Sequence, residues 1–544
     1  MPFLAEQHLA IPTKDILSWQ FEEPMMYDMD KPLYINASNP SHSISANQAR
    51  TLIRQLVAGL QAAGVKRGDA VLIQSFNSIY YPIIVLGIIG AGAVYTGTNP
   101  SYTAHELDNA IQLSKTTFVI TEPACLPNIR AAARHRGIPD SKMLLLDSTT
   151  ADDEGEYKSW RTLLRHGEAD WYAFDSLETS KSTPAMFCFS SGTTGLPKAA
   201  IVSHYNLVAQ HVVAWEANPR PYRISRLIFL PMFHASTAPS THVSPLRAGH
   251  VQVVQRRFDI ATFFDHCEAF EITDLTLVPP MVTGIVGTTT LSHQQKKHKL
   301  RHLKWIIGGA APLDAAMQAC LQKLLPCPFT QVYGTTETSC IASQFTYPEL
   351  DNTGSVGRFV PNVDVKLLDD DGNDITAHGV RGELAVRGPT VVEGYVGVPR
   401  ERDFDDEGYF RTGDVAYGDV ETAKWYIVDR KKEMIKVRGF QVAPAEVEGV
   451  LLEHQGIADA AVVGVPSPQS GSELPRAYVV KKEGCAGLTE GEVERWVEEK
   501  LAKYKRLEGG VKFVDRGGIP KTPSGKIMKR ILREQAVREV GAKL

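Results

Sequence analysis

The residues from Ser190 to Lys198, Ser-Ser-Gly-Thr-Thr-Gly-Leu-Pro-Lys, gather four hydroxyls, two glycines and a lysine between the apolar runs Ala185–Phe189 and Ala199–Val202. Backbone N–H groups, short hydroxyls and one point charge around a tight turn are the means by which a chain cradles a phosphate. Gly192 and Gly195 allow positive φ and close backbone approach, Ser190, Ser191, Thr193 and Thr194 supply donors, and Lys198 supplies charge. The stretch is not a Walker loop. Its glycines are too close together, Lys198 does not follow a glycine, and Ala199 stands where a Mg²⁺-binding hydroxyl belongs. On spacing alone, a polar surface turn remains the alternative. Three further polar clusters follow apolar runs: Met232-Phe233-His234, Gly308-Gly309-Ala310-Ala311-Pro312 and Tyr333-Gly334-Thr335-Thr336-Glu337. Clusters at the carboxyl ends of strands are where open α/β sheets bind ligands.

The elements needed to position these clusters are legible as alternating helix and strand patterns. Ser45–Gly64 places Leu52, Leu56 and Leu60 on one helical face. Asp69–Gln74, Thr117–Ile120 and Met143–Leu146 read as buried strands, and Ser101–Ser114 reads as a helix with Ser101 as its N-cap. Arg226–Pro231, Val251–Val254, Leu275–Val278, Trp305–Ile307 and Phe329–Val332 repeat the alternation, which predicts α/β architecture with largely parallel sheets. Val356–Gly418 has short strands broken by Gly and Asp, the pattern of a small antiparallel unit. Asp429-Arg-Lys-Lys-Glu433 marks a composition boundary and a candidate hinge, beyond which strands and helices form an α+β domain of about 110 residues. The expected division is 1–429, a hinge at 430–432, and 433–544.

Composition narrows the function classes. A net charge of −4 in 544 residues argues against a nucleic-acid partner. The seven cysteines form no C-x-x-C or zinc-like spacing, which points away from a disulfide framework and from a structural metal. Ile79–Gly97 is almost wholly apolar and long enough to span a bilayer, but Pro82, Gly87, Gly90 and Gly92 within it and the lack of basic flanks favour a buried helix and a core strand. No signal peptide and no transmembrane segment are expected. Ala542-Lys543-Leu544 resembles the peroxisomal S-K-L address, so the expected location is peroxisomal, otherwise cytoplasmic, with a peroxisomal import receptor as a partner.

Five motifs, in order, carry a resemblance. Phe189–Lys198, Tyr333–Glu337, Tyr409-Phe-Arg-Thr-Gly-Asp414, Asp429–Glu433 and Pro520-Lys-Thr-Pro-Ser-Gly-Lys526 resemble the core motifs of the adenylate-forming superfamily. That superfamily includes acyl-CoA synthetases, firefly luciferase and peptide-synthetase adenylation domains. Ile427–Val447 looks most like the 4-coumarate–CoA ligase and luciferase branch. The resemblance covers nearly the whole chain. It implies a large N-terminal domain of stacked α/β subdomains with a small β-barrel-like unit, followed by a small mobile α+β C-terminal domain. It also implies an AMP-forming acid–thiol ligase: a carboxylate attacks the α-phosphate of Mg-ATP, then the thiol of coenzyme A takes the acyl group from acyl-AMP.

The same resemblance implies roles. Ser190, Ser191, Gly192, Thr193, Thr194, Gly195 and Lys198 would hold the departing pyrophosphate. Thr336 would touch the α-phosphate, and Glu337 would help hold Mg²⁺, a cation that favours oxygen ligands. Gly309, Ala310, Tyr333, Gly334 and Thr335 would flank the nucleotide, while Asp414 with Arg430 would accept the ribose. Lys526 would bridge the carboxylate and the α-phosphate. Rotation at Lys432 would exchange Lys526 for Lys436, Arg438, Gly439 and Phe440, the residues expected to meet coenzyme A. His234 would gate the acyl pocket, which is expected to be lined by Ala235, Ser236, Gly308, Thr338, Cys340 and Ile341. Each residue has a plain structural alternative: Asp414 as a turn residue, Glu337 as a helix cap, Lys526 as a surface lysine, His234 as a satisfied structural histidine. Ser236 and Cys340-Ile341 depart from the tyrosine and Pro-Val pair of plant coumarate ligases, which argues against hydroxycinnamate. A luciferase-like oxygenase, a stand-alone amino- or aryl-acid adenylation enzyme and a non-catalytic nucleotide-binding protein are the alternatives. The absence of an acidic residue in Phe233–Thr237 counts against an amino acid, and the presence of Lys526 counts against a non-catalytic protein. Lys526→Ala is expected to abolish acid-dependent pyrophosphate release while sparing thioester formation from supplied acyl-AMP; equal loss in both half-reactions contradicts this division of labour.

Overall fold

The computed structural model describes residues 2–146, 156–190, 197–309, 315–369, 371–430, 435–442, 444–467, 472–520, 527 and 529–541. Two mostly parallel sheets form the bulk of the chain. In the first, the strands run in the order Met143–Leu145, Thr116–Thr121, Ala70–Gln74, Val94–Thr98, Pro184–Ser190 and Lys198–Ser203. The last two strands are an antiparallel pair in which Ser190 lies opposite Lys198, so the two ends of the polar loop are brought together by the ladder. The second sheet runs Phe329–Gln331, Trp305–Gly308, Asp274–Leu277, Ser225–Ile228, Val251–Val254, Pro32–Asn36 and Ser43–Ser45. Its last two strands were not expected from the sequence. Pro32–Asn36 pairs in parallel with Val251–Val254, a partner that only tertiary packing supplies.

Ile79–Gly97 resolves as a buried helix, Tyr81–Gly90, and a fully buried strand, Val94–Thr98. Every residue of the helix is buried, as expected for a segment apolar on all sides. It packs against Ala46–Ala62, whose start is fixed by a capping box of Ser45 and Gln48. A Cβ at Gly87 would lie 2.5 Å from Leu56 Cβ, so the two helices touch where glycine leaves room. Among the described residues, no helix is long and apolar enough to cross a membrane.

One N-cap differs from expectation. The helix Ala104–Ser114 starts from Thr103, not Ser101, because Thr103 and Glu106 close a reciprocal capping box. The antiparallel unit is a four-stranded meander of Asp364–Leu368, Gly382–Arg387, Phe410–Gly418 and Trp425–Arg430, with Phe3 bridging to Val365. Beyond it lie the short hairpin Ile435–Val437 and Phe440–Val442, and a three-stranded sheet of Ile457–Pro466, Glu473–Lys481 and Val511–Phe513. These have their own core, built on Ile435, Val447, Val462, Val479 and Val497.

Among the described residues, a buried charge cluster joins the C-terminal unit to the rest. Lys505 Nζ donates to Glu446 Oε1 at 2.8 Å within its own unit and to Glu106 Oε1 at 2.7 Å across the boundary. All three side chains are at most 6% exposed. Glu106 Oε2 accepts from the Thr103 backbone N–H, and the Thr103 hydroxyl donates to the Lys500 carbonyl. Burial alone would lower the Lys505 ammonium, but Tyr504, Glu446 and Glu106 around it hold it well above the ordinary lysine value. Removing one member of a buried ion cluster costs about 3–5 kcal/mol, because the remaining charge is left unpaired. Glu106→Ala, and Glu106→Gln which retains the capping acceptor, are expected to loosen the C-terminal unit. Small-angle scattering should show a larger radius of gyration for both variants; an unchanged profile contradicts the role given to the cluster.

Candidate active site

A cavity of about 420 Å³ opens where the two large sheets, the antiparallel meander and the C-terminal hairpin converge. Its walls bring together most of the described residues that the sequence singled out. Ser190, Lys198, Tyr333, Gly334, Thr335, Thr336, Glu337 and Asp414 line it, as do Gly309, His234, Ser236, Cys340 and Ile341. From the C-terminal unit come Lys436, Gly439 and Phe440. Ser191, Gly192, Thr193, Thr194, Gly195, Ala310, Lys432, Lys526 and Ala542–Leu544 lie outside the described residues. Arg430 pairs through its backbone with Asp414 in the meander.

The turn Thr336–Thr338 follows the strand Phe329–Gln331 and is tied by its own hydroxyls. The Thr335 backbone N–H donates to Thr338 Oγ1 at 2.9 Å, and the Cys340 N–H returns to the Thr335 carbonyl at 2.8 Å. That return requires Gly334, whose absent Cβ would sit 2.4 Å from the Cys340 carbonyl carbon. The turn presents Glu337, which accepts from the Tyr395 hydroxyl at 2.6 Å. Burial and the Glu337 carboxylate push that phenol well up, so it stays protonated and donates. Lys198 lies 4.4 Å above the same ring and reaches Asp403 at 3.1 Å. Tyr333 donates to Oδ2 of buried Asp414 at 2.7 Å, which orders that carboxylate at the cavity wall. One wall therefore carries a cation and hydroxyls, and a neighbouring wall carries two ordered carboxylates.

His234 follows the strand Ser225–Ile228 by a short turn and faces the cavity. The Ser236 N–H donates to His234 Nδ1 at 3.1 Å, and desolvation by the protein around the cavity lowers the imidazole below its usual value, although the side chain is open to the cavity mouth. The ring is therefore neutral near pH 7 with its proton on Nε2. Burial raises the Cys340 thiol well above the ordinary range, so it is an apolar wall and not a nucleophile.

Among the residues whose side chains are described, four expected site residues are not on the cavity wall. Ala235 is buried in the same apolar core as Tyr81 and Met232, and Thr338 spends its hydroxyl inside the turn. Gly308 faces the opposite side of its strand, where a Cβ would meet the Phe329 ring at 2.4 Å. Arg438 turns away to pair with Glu508, and its N–H donates to Ser472 Oγ at 2.6 Å. Conversely, Tyr395, Asp403, Thr412, Gln331 and Lys505 line the cavity and were not read from the sequence.

Known proteins resemble this chain along nearly its whole length. Residues 21–396 match the AMP-binding enzyme family model, and residues 446–526 match the AMP-binding enzyme C-terminal domain. The phenylacetyl-CoA ligase epaB of Aspergillus niger is 49% identical over 98% of this chain and 99% of its own. The acyl-CoA ligase azaF, also of Aspergillus niger, is 49% identical over 98% of this chain and 100% of its own. Among solved structures, ATP-bound MatB of Rhodopseudomonas palustris is 28% identical, with a TM-score of 0.67, covering 96% of this chain and 98% of that one.

The Tyr395 hydroxyl is the donor that fixes Glu337. Tyr395→Phe leaves a mostly buried carboxylate short of a partner and is expected to lower stability by about 1–3 kcal/mol. Chemical denaturation monitored by tryptophan fluorescence measures this, and an unchanged midpoint contradicts it.

Proposed function

The chain belongs to the AMP-binding enzyme family, and on that footing we propose that it is an AMP-forming acid–thiol ligase that activates a carboxylic acid with ATP and passes the acyl group to coenzyme A. The observation that carries this reading is the meeting, in one cavity, of the Lys198–Glu337–Asp414 walls with the Lys436–Phe440 loop of the C-terminal unit. The near-full-length likeness to curated acyl-CoA ligases supports it.

In the first half-reaction, one oxygen of the acid attacks the α-phosphorus, and the bond to the bridging oxygen of pyrophosphate breaks. Two anions must meet, and the cost falls if fixed cations and dipoles already face the reacting oxygens. Lys198 and the hydroxyl loop are the groups for the departing pyrophosphate, and Thr336 and Lys526 are those for the α-phosphate and the acid. Tyr333 orients Asp414 toward the ribose hydroxyls. Glu337 suits Mg²⁺ that arrives with the nucleotide, since such ions take one or two protein carboxylates and complete their shell with phosphate and water. The Tyr395 bond to Oε1 leaves Oε2 for that role. When bound, Mg²⁺ neutralises phosphate charge.

In the second half-reaction, the thiol sulfur attacks the acyl carbonyl, AMP leaves, and the thiol proton is lost. Gly439, with φ +86° and, among the described residues, only Val278 within contact of an added Cβ, offers a narrow passage for an extended thiol chain beside Lys436 and Phe440. Neutral His234, with Nε2 protonated, sits at the acyl side as a gate. We also propose that 433–544 moves as a unit about 430–432, and that Ala542-Lys543-Leu544 addresses the protein to peroxisomes. Removing the tripeptide from a fluorescent fusion tests the latter.

The direct test is a screen of carboxylic acids, phenylacetate included, for pyrophosphate release and thioester formation with and without coenzyme A. Acid-dependent pyrophosphate and an acyl-CoA product are expected. Acyl-adenylate without thioester, or light and oxygen uptake, would favour the adenylation or oxygenase alternatives; no acid-dependent release with any member would overturn the enzyme reading.

A further inference from the structure

The cavity does not end at the residues discussed so far. Trp305, Ile307 and Gly309 line it together, and alternate residues of a strand share one face, so the cavity follows the inner face of the second sheet from its carboxyl end to its amino end. At about 3.3 Å per residue, the four steps from Gly309 to Trp305 give a depth of roughly 13 Å. The far end is not apolar. Arg226, Arg220, Thr276, Gln210 and Trp215 line it beside Trp305.

Arg226 is the central group there. It is 5% exposed, yet among the described residues its Nη1 has no hydrogen-bond partner. Nη2 donates to Thr276 Oγ1 at 2.8 Å, and the guanidinium lies 5.2 Å from the centroid of the Trp215 ring. The Trp215 indole N–H is buried and likewise unpartnered among the described residues, as are Gln210 Oε1 and Arg220 Nε. Two guanidinium groups face one carboxylate, Asp274, which is already bonded to the Thr273 and Tyr222 hydroxyls at 2.7 and 3.4 Å. Burial lowers the Arg226 pKa to about 10, and even so the group is charged at neutral pH. A buried cation with an idle donor is costly unless something completes its shell.

We infer that the acid activated by this protein carries an oxygen acceptor at the end remote from its reacting carboxylate, and that Arg226, with the Trp215 N–H beside it, reads that oxygen. The inference rests on the acid–thiol ligase reading and adds the substrate class: acids long enough to reach from Gly309 to Arg226 and ended by a carboxylate or carbonyl. Sites built to hydrogen-bond a substrate group reject analogues lacking it far more strongly than apolar pockets reject a missing methylene.

The test compares kcat/KM for sebacate, 9-oxodecanoate and decanoate, matched in length, with phenylacetate as a short reference. Wild-type protein is expected to prefer sebacate or 9-oxodecanoate over decanoate by at least about tenfold, since decanoate leaves the donors unpaired. Arg226→Leu should reverse that ratio, and Arg226→Lys, which keeps a charged donor, should retain its direction. A purely structural Arg226 would lower all three values together without changing the ratio, and that outcome overturns the assignment. So does a wild-type preference for decanoate, or activity confined to phenylacetate. If Arg226→Leu fails to fold by circular dichroism, the wild-type ratio and Arg226→Lys decide. Absence of pyrophosphate release with every acid, from folded wild-type protein, overturns instead the ligase reading and this inference with it.

Discussion

Lys505 carries a charge out of water and is surrounded by two carboxylates and two phenols, and the arrangement of the cavity depends on it. Glu446 belongs to its own unit, and Glu106 belongs to the helix Ala104–Ser114. The contact fixes which face of the C-terminal unit looks inward. That face carries Lys436, Gly439 and Phe440, with the Phe440 and Tyr504 rings stacked 4.2 Å apart beside the cluster. A buried ion cluster is a weak source of net stability but a demanding one geometrically, because its members tolerate no unpaired state. It suits an interface that must be held in one arrangement and released as a whole.

Much of the site was legible because its residues sit in compact clusters at strand ends. Ser190, Lys198, Tyr333–Glu337 and Phe233-His234 each lie at or just beyond an apolar run that becomes a strand. Errors arose where a local rule was applied too loosely. Gly308 belongs to the cluster expected to line the pocket, yet Trp305, Ile307 and Gly309 share the inward face, and the two-residue period of a strand places Gly308 opposite. Ser101 is the expected cap, yet Thr103-Ala-His-Glu106 fits the capping-box pattern and starts the helix.

The remainder depends on contacts that no local pattern encodes. Lys505 and Glu106 are 399 residues apart, and Tyr395 meets Glu337 across 58. Pro32–Asn36 is a five-residue strand whose partner lies more than two hundred residues later. Arg226 sits in a short strand as one basic residue among apolar ones. Only the closing of Trp215 and Thr276 around it turns an unremarkable position into a polar terminus for the cavity. Its chemistry is set by what it lacks as a partner, which a sequence does not display.

We propose that this orientation serves thiol transfer and opens for the acid to be activated. Cysteines introduced at Thr103 and Lys500, on either side of the boundary, with exposed Cys320 replaced by serine, allow the units to be bridged by a cleavable bis-maleimide. The bridged protein is expected to convert supplied acyl-AMP and coenzyme A to thioester, to release no pyrophosphate from ATP and acid, and to regain that release when the bridge is cleaved. Undiminished pyrophosphate release from fully bridged protein would contradict it.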